Sequence, residues 1–381
     1  MDFSIPETLS NDIERFKGFL QETLVPNLSA WTRDKTLPRS FYQTMGRGGW
    51  NGFTWEKGRI ERQAFLREAL LVEQLGIISP GVAVAALAHA DLGLMGLWLF
   101  GSEKLKKKYG EKAVLGETLM CVGNTETEAG SDVAGIKMIA DKIEDGWRIN
   151  GTKAYITNGL VSDMAIVTAV SDPEASRNRR VSMFLVDLKS EGVKRKKLNK
   201  QVWIPSDLTR VQFTDVFVPD DHLLGEKGKG LQQVLTIFTN SRISISALTL
   251  GTAVGAFELA VGHARKRSIF GQKIVQYQSK AFEIADFYAK IEAARLVLHK
   301  AAWTRDQGLD FRLESSLAKY LTVMIAREVT TWAADLFGAA SVISEHPIHK
   351  FPMDAWASAL GEGTQDVQKL VIFREIMKNM E

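Results

Sequence analysis

Residues 121–135 read CVGNTETEAGSDVAG, a turn-rich stretch centred on Ala129-Gly130-Ser131-Asp132. The ordinary meaning of G-S-D is an Asx or Ser turn. Successive backbone N–H groups in such a turn also bind anions without a basic side chain. The stretch has a counterpart near the other end of the chain, 361–364, GEGT, where Glu362 stands between two glycines. Glycines on both sides let a backbone approach a ligand closely. A plainer reading makes Glu362 a loop acid ahead of a helix starting near Thr364–Asp366, where the helix dipole favours negative charge.

Working outward, a chain of 381 residues with 45% hydrophobic and 24% charged residues has the size and balance of a soluble protein of two or three domains. A net charge of +3 without a concentrated basic face argues against a nucleic-acid role. The single cysteine, Cys121, excludes a disulfide framework within the chain and fits a reducing compartment. The opening residues lack the basic-then-apolar pattern of a secretory signal and are too acidic for a transit peptide. A bacterial cytoplasm is therefore expected, with a mitochondrial matrix as the other compartment left open. The apolar stretch 80–100 contains His89, Asp91 and several glycines, and reads as a buried helix rather than a membrane span. No metal-ligand cluster stands out.

Three regions follow from periodicity, giving an α+β multidomain fold. Residues 1–118 read as a helical domain. Ser10-Asn11-Asp12 should cap a first helix, Pro38 should open a short one, and 61–75 carries an apolar stripe. Residues 102–109 form a lysine-rich helix that Gly110 should end. Residues 119–228 switch to period two and turns, predicting a β-barrel or sandwich with strands near 147–151, 154–157, 165–170, 182–188 and 210–217. Residues 229–381 return to long amphipathic segments, 231–268, 275–306, 311–336 and 366–380, a four-helix bundle. The lysine runs 104–108 and 189–200 read as solvated faces, or as surfaces attracting coenzyme phosphates or an acidic redox partner.

Five motifs in order resemble the acyl-CoA dehydrogenase family, over essentially the whole chain. Thr125-Glu126-Thr127-Glu128-Ala129-Gly130-Ser131-Asp132 is similar to its flavin loop. Tyr155-Ile156-Thr157-Asn158-Gly159 resembles its W-I-T-N-G strand end, with Tyr where Trp is usual. Residues 216–219 (VFVP) and 224–230 (LGEKGKG) resemble its link into the last domain. Arg242, Gly251, Arg267-Ser268-Ile269-Phe270-Gly271 and Gln278 resemble a further series, and Glu362-Gly363-Thr364 its catalytic E-G-T. The resemblance implies FAD as cofactor and removal of a proton α to a thioester with a hydride from the neighbouring carbon. It implies Glu362 as the base, and Val122, Asn124, Thr125, Gly130, Ser131, Tyr155 and Thr157 around the flavin. Arg267, Phe270 and Gln278 would contact FAD across a subunit boundary; Asp335, before Gly338 and where Gln is more usual, would accept from an adenosine hydroxyl, and Thr364 and Asp366 would also lie near the adenosine half. Arg242 and Ser131 would meet the thioester and its coenzyme arm. A homotetramer passing electrons to an electron-transferring flavoprotein is expected, with no membrane insertion. An oxygen-using acyl-CoA oxidase, or a non-catalytic acyl-CoA binder, are the other classes.

Asp91 does not fit this pattern. It lies in 85–98, AALAHADLGLMGLW, where a carboxylate is costly unless paired or functional. Either it forms an internal pair with His89 or a cap, or it is a second carboxylate aimed at the acyl group, as a donor to a polar substituent if protonated or as a base for a carbon other than Cα. The latter would suit a cyclic cyclohexane- or cyclohexene-carboxyl thioester, as in some relatives, and would make Asp91 a rival to Glu362.

Overall fold

The structure is a computed structural model that describes residues 5–378 and Met380. The chain opens with α1 (Glu7–Phe19), α2 (Leu28–Asp34) and α3 (Arg39–Arg47). Ser10, Asn11 and Asp12 lie inside α1 rather than capping it, and Asp12 instead accepts from Arg67 Nε at 2.7 Å. A hairpin of β1 (Phe53–Glu56) and β2 (Arg59–Arg62) follows, where only helix was expected. Its two-residue turn, Lys57-Gly58, holds φ of 49° and 78°, the positive pair that matches strand twist.

Next come α4 (Phe65–Ile78) and α5 (Pro80–Leu87), then a π-helical segment Ala88–Leu94, α6 (Met95–Phe100) and α7 (Glu103–Val114). The start of α4 is capped from another helix: Asp306 accepts from Phe65 N at 2.7 Å and Leu66 N at 3.0 Å. α7 runs through Gly110, so that glycine is not a stop. A Cβ there would lie 2.7 Å from the Trp55 ring, which makes it a packing residue.

The middle region holds β3 (Met120–Gly123), β4 (Ile139–Ile143), β5 (Gly146–Thr157), β6 (Met164–Val170), β7 (Val181–Asp187), β8 (Val193–Lys197), β9 (Leu208–Pro219) and β10 (Leu223–Leu224). They form one eight-stranded sheet in the order β10-β7-β6-β4-β5-β9-β8, with β3 parallel to β6. The two strands expected at 147–151 and 154–157 are one strand, β5, interrupted by register shifts near Gly151 and between Lys153 and Ile156. β6 is buried at every residue. Its Met164 and Ile166 face the helical core, while Ala165, Val167 and Ala169 face the core of the β region. That double burial explains its apolar run, broken only by Thr168. At the other edge, β8 is VKRKK and largely exposed, lysines that discourage edge pairing.

The C-terminal region comprises α8 (Gly230–Lys266), a short hairpin β11 (Ser268–Ile269) and β12 (Gln272–Lys273), then α9 (Gln278–Asp306), α10 (Arg312–Phe337), α11 (Phe351–Ala357) and α12 (Gln365–Lys378). α8 is the central post. It crosses α4 so closely that a Cβ at Gly251 would sit 2.2 Å from Glu73 O. Two stretches, Pro80–Phe100 and Gly230–Lys266, are apolar and long enough to cross a membrane by composition, but most of each is packed inside the protein.

Candidate active site

A cavity of about 150 Å3 lies where the helical layers meet the β region. One wall is the loop after β3, with Asn124 and Thr125, and the end of β5, with Ala154, Tyr155 and Thr157. The facing wall is apolar: Val84, Leu87, Ala88 and Leu92 from the helix pair, Phe238 and Ile245 from α8. Trp203, Gly361 and Glu362 complete it. Residues from three regions of the chain, 237 positions apart between Thr125 and Glu362, thus share one hollow.

The loop at 124–129 is held from behind. Glu126 N and O pair with Ala129 O and N at 3.1 and 3.2 Å, closing a tight turn. Lys153, wholly buried, donates to Asn124 O at 3.0 Å and Glu126 Oε1 at 2.8 Å. The Asn124 side chain accepts from Thr168 Oγ1 at 2.9 Å. Burial works upward on Glu126, but Lys153 and the amides of Lys137 and Met138 outweigh it and hold the carboxyl below the usual range. Tyr155 remains 55% exposed at φ 57°, a left-handed conformation that costs energy for a bulky residue. Gly130 and Ser131 are exposed beyond the cavity, and a Cβ on Gly130 would meet nothing within 4 Å. Val122 lines the cavity from β3.

Glu362 sits in the turn before α12, with φ 57°, followed by Gly363 at φ 94°. Its Oε2 accepts from Ser241 Oγ at 2.8 Å. Burial raises its pKa, opposed by Lys319, Ser241 and Arg242. Arg242 is 6% exposed rather than a surface charge, donates to Ser316 Oγ at 3.3 Å, and has a buried Nε without a partner. It lines a larger groove of about 930 Å3 between α8, residues 309–312 and α12. Thr364 Oγ1 accepts from Val367 N at 3.4 Å, a helix cap, and Asp366 pairs with Lys369 at 3.1 Å on the surface.

Asp91 is not among the cavity's lining residues. Its neighbours Leu87, Ala88 and Leu92 are, but its own carboxylate faces Arg62, at 3.5 Å, in a fully buried cluster with Glu68. The expected His89 partner is absent too. His89 Nδ1 accepts from Met120 N at 3.1 Å, which leaves Nε2–H to donate to Ala113 O at 3.1 Å, and burial lowers its pKa to about 4. Two carboxyls share one guanidinium, and burial first, then Glu68, raise Asp91 well above the carboxylate range against the pull of Arg62. A carboxyl with a raised folded pKa stabilises the fold below its unfolded pKa, and that stability is lost as pH rises through the folded value. Asp91→Asn mimics the protonated form. It is expected to melt at least as high as the parent at pH 8, with the gap closing toward pH 5 in scanning fluorimetry; a lower melting temperature at pH 8 would contradict this.

The chain is 34% identical over 304 residues, 79% of each chain, to the short-chain-specific acyl-CoA dehydrogenase of Megasphaera elsdenii. The N-terminal, middle and C-terminal domain descriptions of acyl-CoA dehydrogenase match residues 12–117, 121–216 and 228–377. The chain belongs to the acyl-CoA dehydrogenase family. Among solved structures, butyryl-CoA dehydrogenase from M. elsdenii superposes with a TM-score of 0.93 at 30% identity, covering 99% of this chain and 100% of the other. A chain from work on the electron-transferring flavoprotein of Acidaminococcus fermentans superposes at 0.95 with 28% identity, over 99% and 100%.

This acyl-CoA dehydrogenase is a FAD-dependent oxidoreductase acting on a CH–CH bond. The residues present fit that cofactor: Tyr155 offers an exposed ring beside the cavity, and Gly130 leaves open space for a close backbone approach. The remaining expected FAD contacts gather elsewhere. Arg267 and Gln278 flank the β11–β12 hairpin, whose turn carries Phe270, 97% exposed at φ 45°. Asp335 and Gly338 lie at the same end of the bundle, since Phe337 packs against His263 with ring centroids 4.4 Å apart. Twenty-five residues of helix separate Arg242 from Arg267, about 37 Å at 1.5 Å per residue.

Sequence reading missed Lys153, Ser241 and Lys319. Lys319 falls in the helical series Ser315, Lys319, Thr322, Val323, Ala326, every member of which is buried, but three of the five are polar and mark no apolar face.

Proposed function

We propose that this dehydrogenase oxidises a short straight-chain or branched acyl-CoA thioester, with Glu362 as the sole base for the α-proton. The observation that carries the reading is that Glu362 lines one cavity with Thr125, Tyr155 and Thr157, opposite an apolar wall suited to an acyl chain. Bound FAD supplies the acceptor for the hydride. Asn124, Thr125, Tyr155 and Thr157 hold it on the β side, with Gly130 and Ser131 beside its diphosphate. Ser241 fixes the Glu362 carboxylate by its 2.8 Å hydrogen bond, and burial gives that carboxylate the basicity a proton acceptor needs. The coenzyme arm follows the groove past Arg242, whose buried, unpartnered Nε favours a polar ligand there.

Arg267, Phe270, Gln278, Asp335 and Gly338 serve the cofactor of a neighbouring subunit, with Thr364 and Asp366 toward its adenosine half, in a homotetramer. The exposed Phe270 ring supports this. Electrons pass to an electron-transferring flavoprotein in a bacterial cytoplasm.

Anaerobic mixing with a panel of straight, branched, dicarboxylic and alicyclic thioesters should bleach the flavin fastest with a short straight or branched chain. Air should reoxidise it slowly and an electron-transferring flavoprotein quickly; rapid reoxidation by air would instead make it an oxidase. The alicyclic reading, with Asp91 as base, has one observation in its favour: neither Asp91 oxygen has a hydrogen-bond partner. Bleaching by alicyclic thioesters alone, abolished in Asp91→Asn, would replace the reading proposed here.

A further inference from the structure

Lys319 lies in the middle of α10, 0% exposed, deep in the bundle. A buried ammonium is costly unless its protons are all used and its charge is answered. Its Nζ donates to Gly361 O and, at 2.6 Å, to Gly363 O, the carbonyls on either side of Glu362. Gln368 of α12 takes what is left of the turn, donating from Nε2 to Glu362 O at 3.1 Å and Gly363 O at 3.0 Å. All three backbone oxygens of Gly361-Glu362-Gly363 are thus drawn toward α10 and α12. With its carbonyls pulled that way and φ at 57°, the Glu362 side chain is left on the cavity side, where Ser241 meets it. A glutamate in the left-handed region needs such over-determination, because the conformation costs about 1–3 kcal/mol by itself.

We propose that Lys319 is a positioning residue for the base: its ammonium ties together the two carbonyls flanking Glu362, holds the turn that aims the carboxylate into the cavity, and stands behind that carboxylate as a buried positive charge. The inference rests on Glu362 being the base. Among the described residues, the charged groups that act on Glu362 are Lys319 from α10 and Arg242 from α8, and Ser241 adds its hydrogen bond. Glu362 in turn is the counter-charge that keeps Lys319 protonated, against burial that lowers it to about 8. Because the ammonium favours the carboxylate form, its removal should move proton acceptance to higher pH as well as loosening the turn.

The sign is fixed. Glu362 works only when deprotonated, so the rate of flavin reduction rises with pH through its pKa. Taking away a nearby positive charge raises that pKa and shifts the acid limb upward, by about one pH unit or more. Lys319→Met removes charge and tether together. Stopped-flow flavin reduction by butyryl-CoA should fall about 10- to 100-fold at neutral pH, with substrate affinity changed less than about threefold. Lys319→Gln keeps a donor for the carbonyls without the charge, and should recover most of the plateau rate while retaining the shifted limb. The ionisation of Glu362 can be followed without turnover, by the infrared carbonyl band of its protonated form, assigned by its absence in Glu362→Gln.

Unshifted limbs in both Lys319 variants, with flavin content intact, would overturn the proposal. If both variants fail to fold, Lys319 is a folding residue and the proposal falls as well. Should Glu362→Gln itself retain turnover, the base assignment fails, whatever Lys319 does, and the infrared titration still reports whether Lys319 tunes that carboxylate.

Discussion

Glu362→Gln is expected to slow anaerobic flavin reduction by about three orders of magnitude while leaving the protein folded and coloured. General-base contributions span about 10²- to 10⁴-fold, and among the described residues no other carboxylate lines the cavity to replace this one. Gln retains the shape and an oxygen to accept from Ser241, now 2.8 Å from Glu362 Oε2, so substrate affinity should change little. Stability offers an independent check. Burial raises the Glu362 pKa. A carboxyl with a raised folded pKa favours the fold at low pH and loses that contribution as pH rises through the folded value. The Gln variant should therefore melt no lower than the parent at pH 8. Stopped-flow traces and scanning fluorimetry read both quantities. A variant that reduces its flavin within about tenfold of the parent rate would remove Glu362 from the mechanism.

The second large effect is expected at Lys153. Its ammonium pairs with Glu126 at 2.8 Å in a site where Lys153 is 0% and Glu126 11% exposed at the side chain. It also holds Asn124 O at 3.0 Å, the residue before Thr125. Burial lowers Lys153 to about 8, opposed by Glu126, so it stays largely charged at neutral pH. Lys153→Met leaves Glu126 without its partner, and breaking a buried pair in this way costs about 3–5 kcal/mol. Glu126 accepts at the same time from Lys137 N at 2.8 Å and Met138 N at 3.0 Å, so both ends of the 126–137 loop would loosen together. The melting temperature should drop by at least about 5 °C, and the purified protein should carry less FAD, read from its visible absorbance. Full flavin content and melting within about 2 °C of the parent would show the pair to be dispensable.

Much of the fold was legible because its elements repeat local rules. The run of β6 carries apolar side chains on both faces, and α8 is apolar over most of its 37 residues. The errors have equally local causes. Gly110 reads as a helix stop, yet packing against Trp55 and Ile60 demands a residue without Cβ inside α7. Ser10-Asn11-Asp12 reads as a cap, yet Asp12 is recruited by Arg67, 55 residues away. Lys153 and Lys319 went unremarked, since their partners are backbone carbonyls and a carboxylate from distant segments.

By itself the sequence determined the family and the helix–sheet–helix order, and supplied the residues proposed to bind a flavin and take a proton, because those depend on motifs of residue type and spacing. Only the tertiary structure decided which carboxylate faces the cavity. The π-helical segment Ala88–Leu94 changes the angular phase of the helix, so that Leu87, Ala88 and Leu92 point into the hollow while Asp91 is turned to Arg62. A one-residue change of phase leaves no mark in composition or periodicity. The carboxylate at 362 owes its direction to five hydrogen bonds from three side chains, Lys319, Gln368 and Ser241, and to a positive φ that no local preference of glutamate would supply.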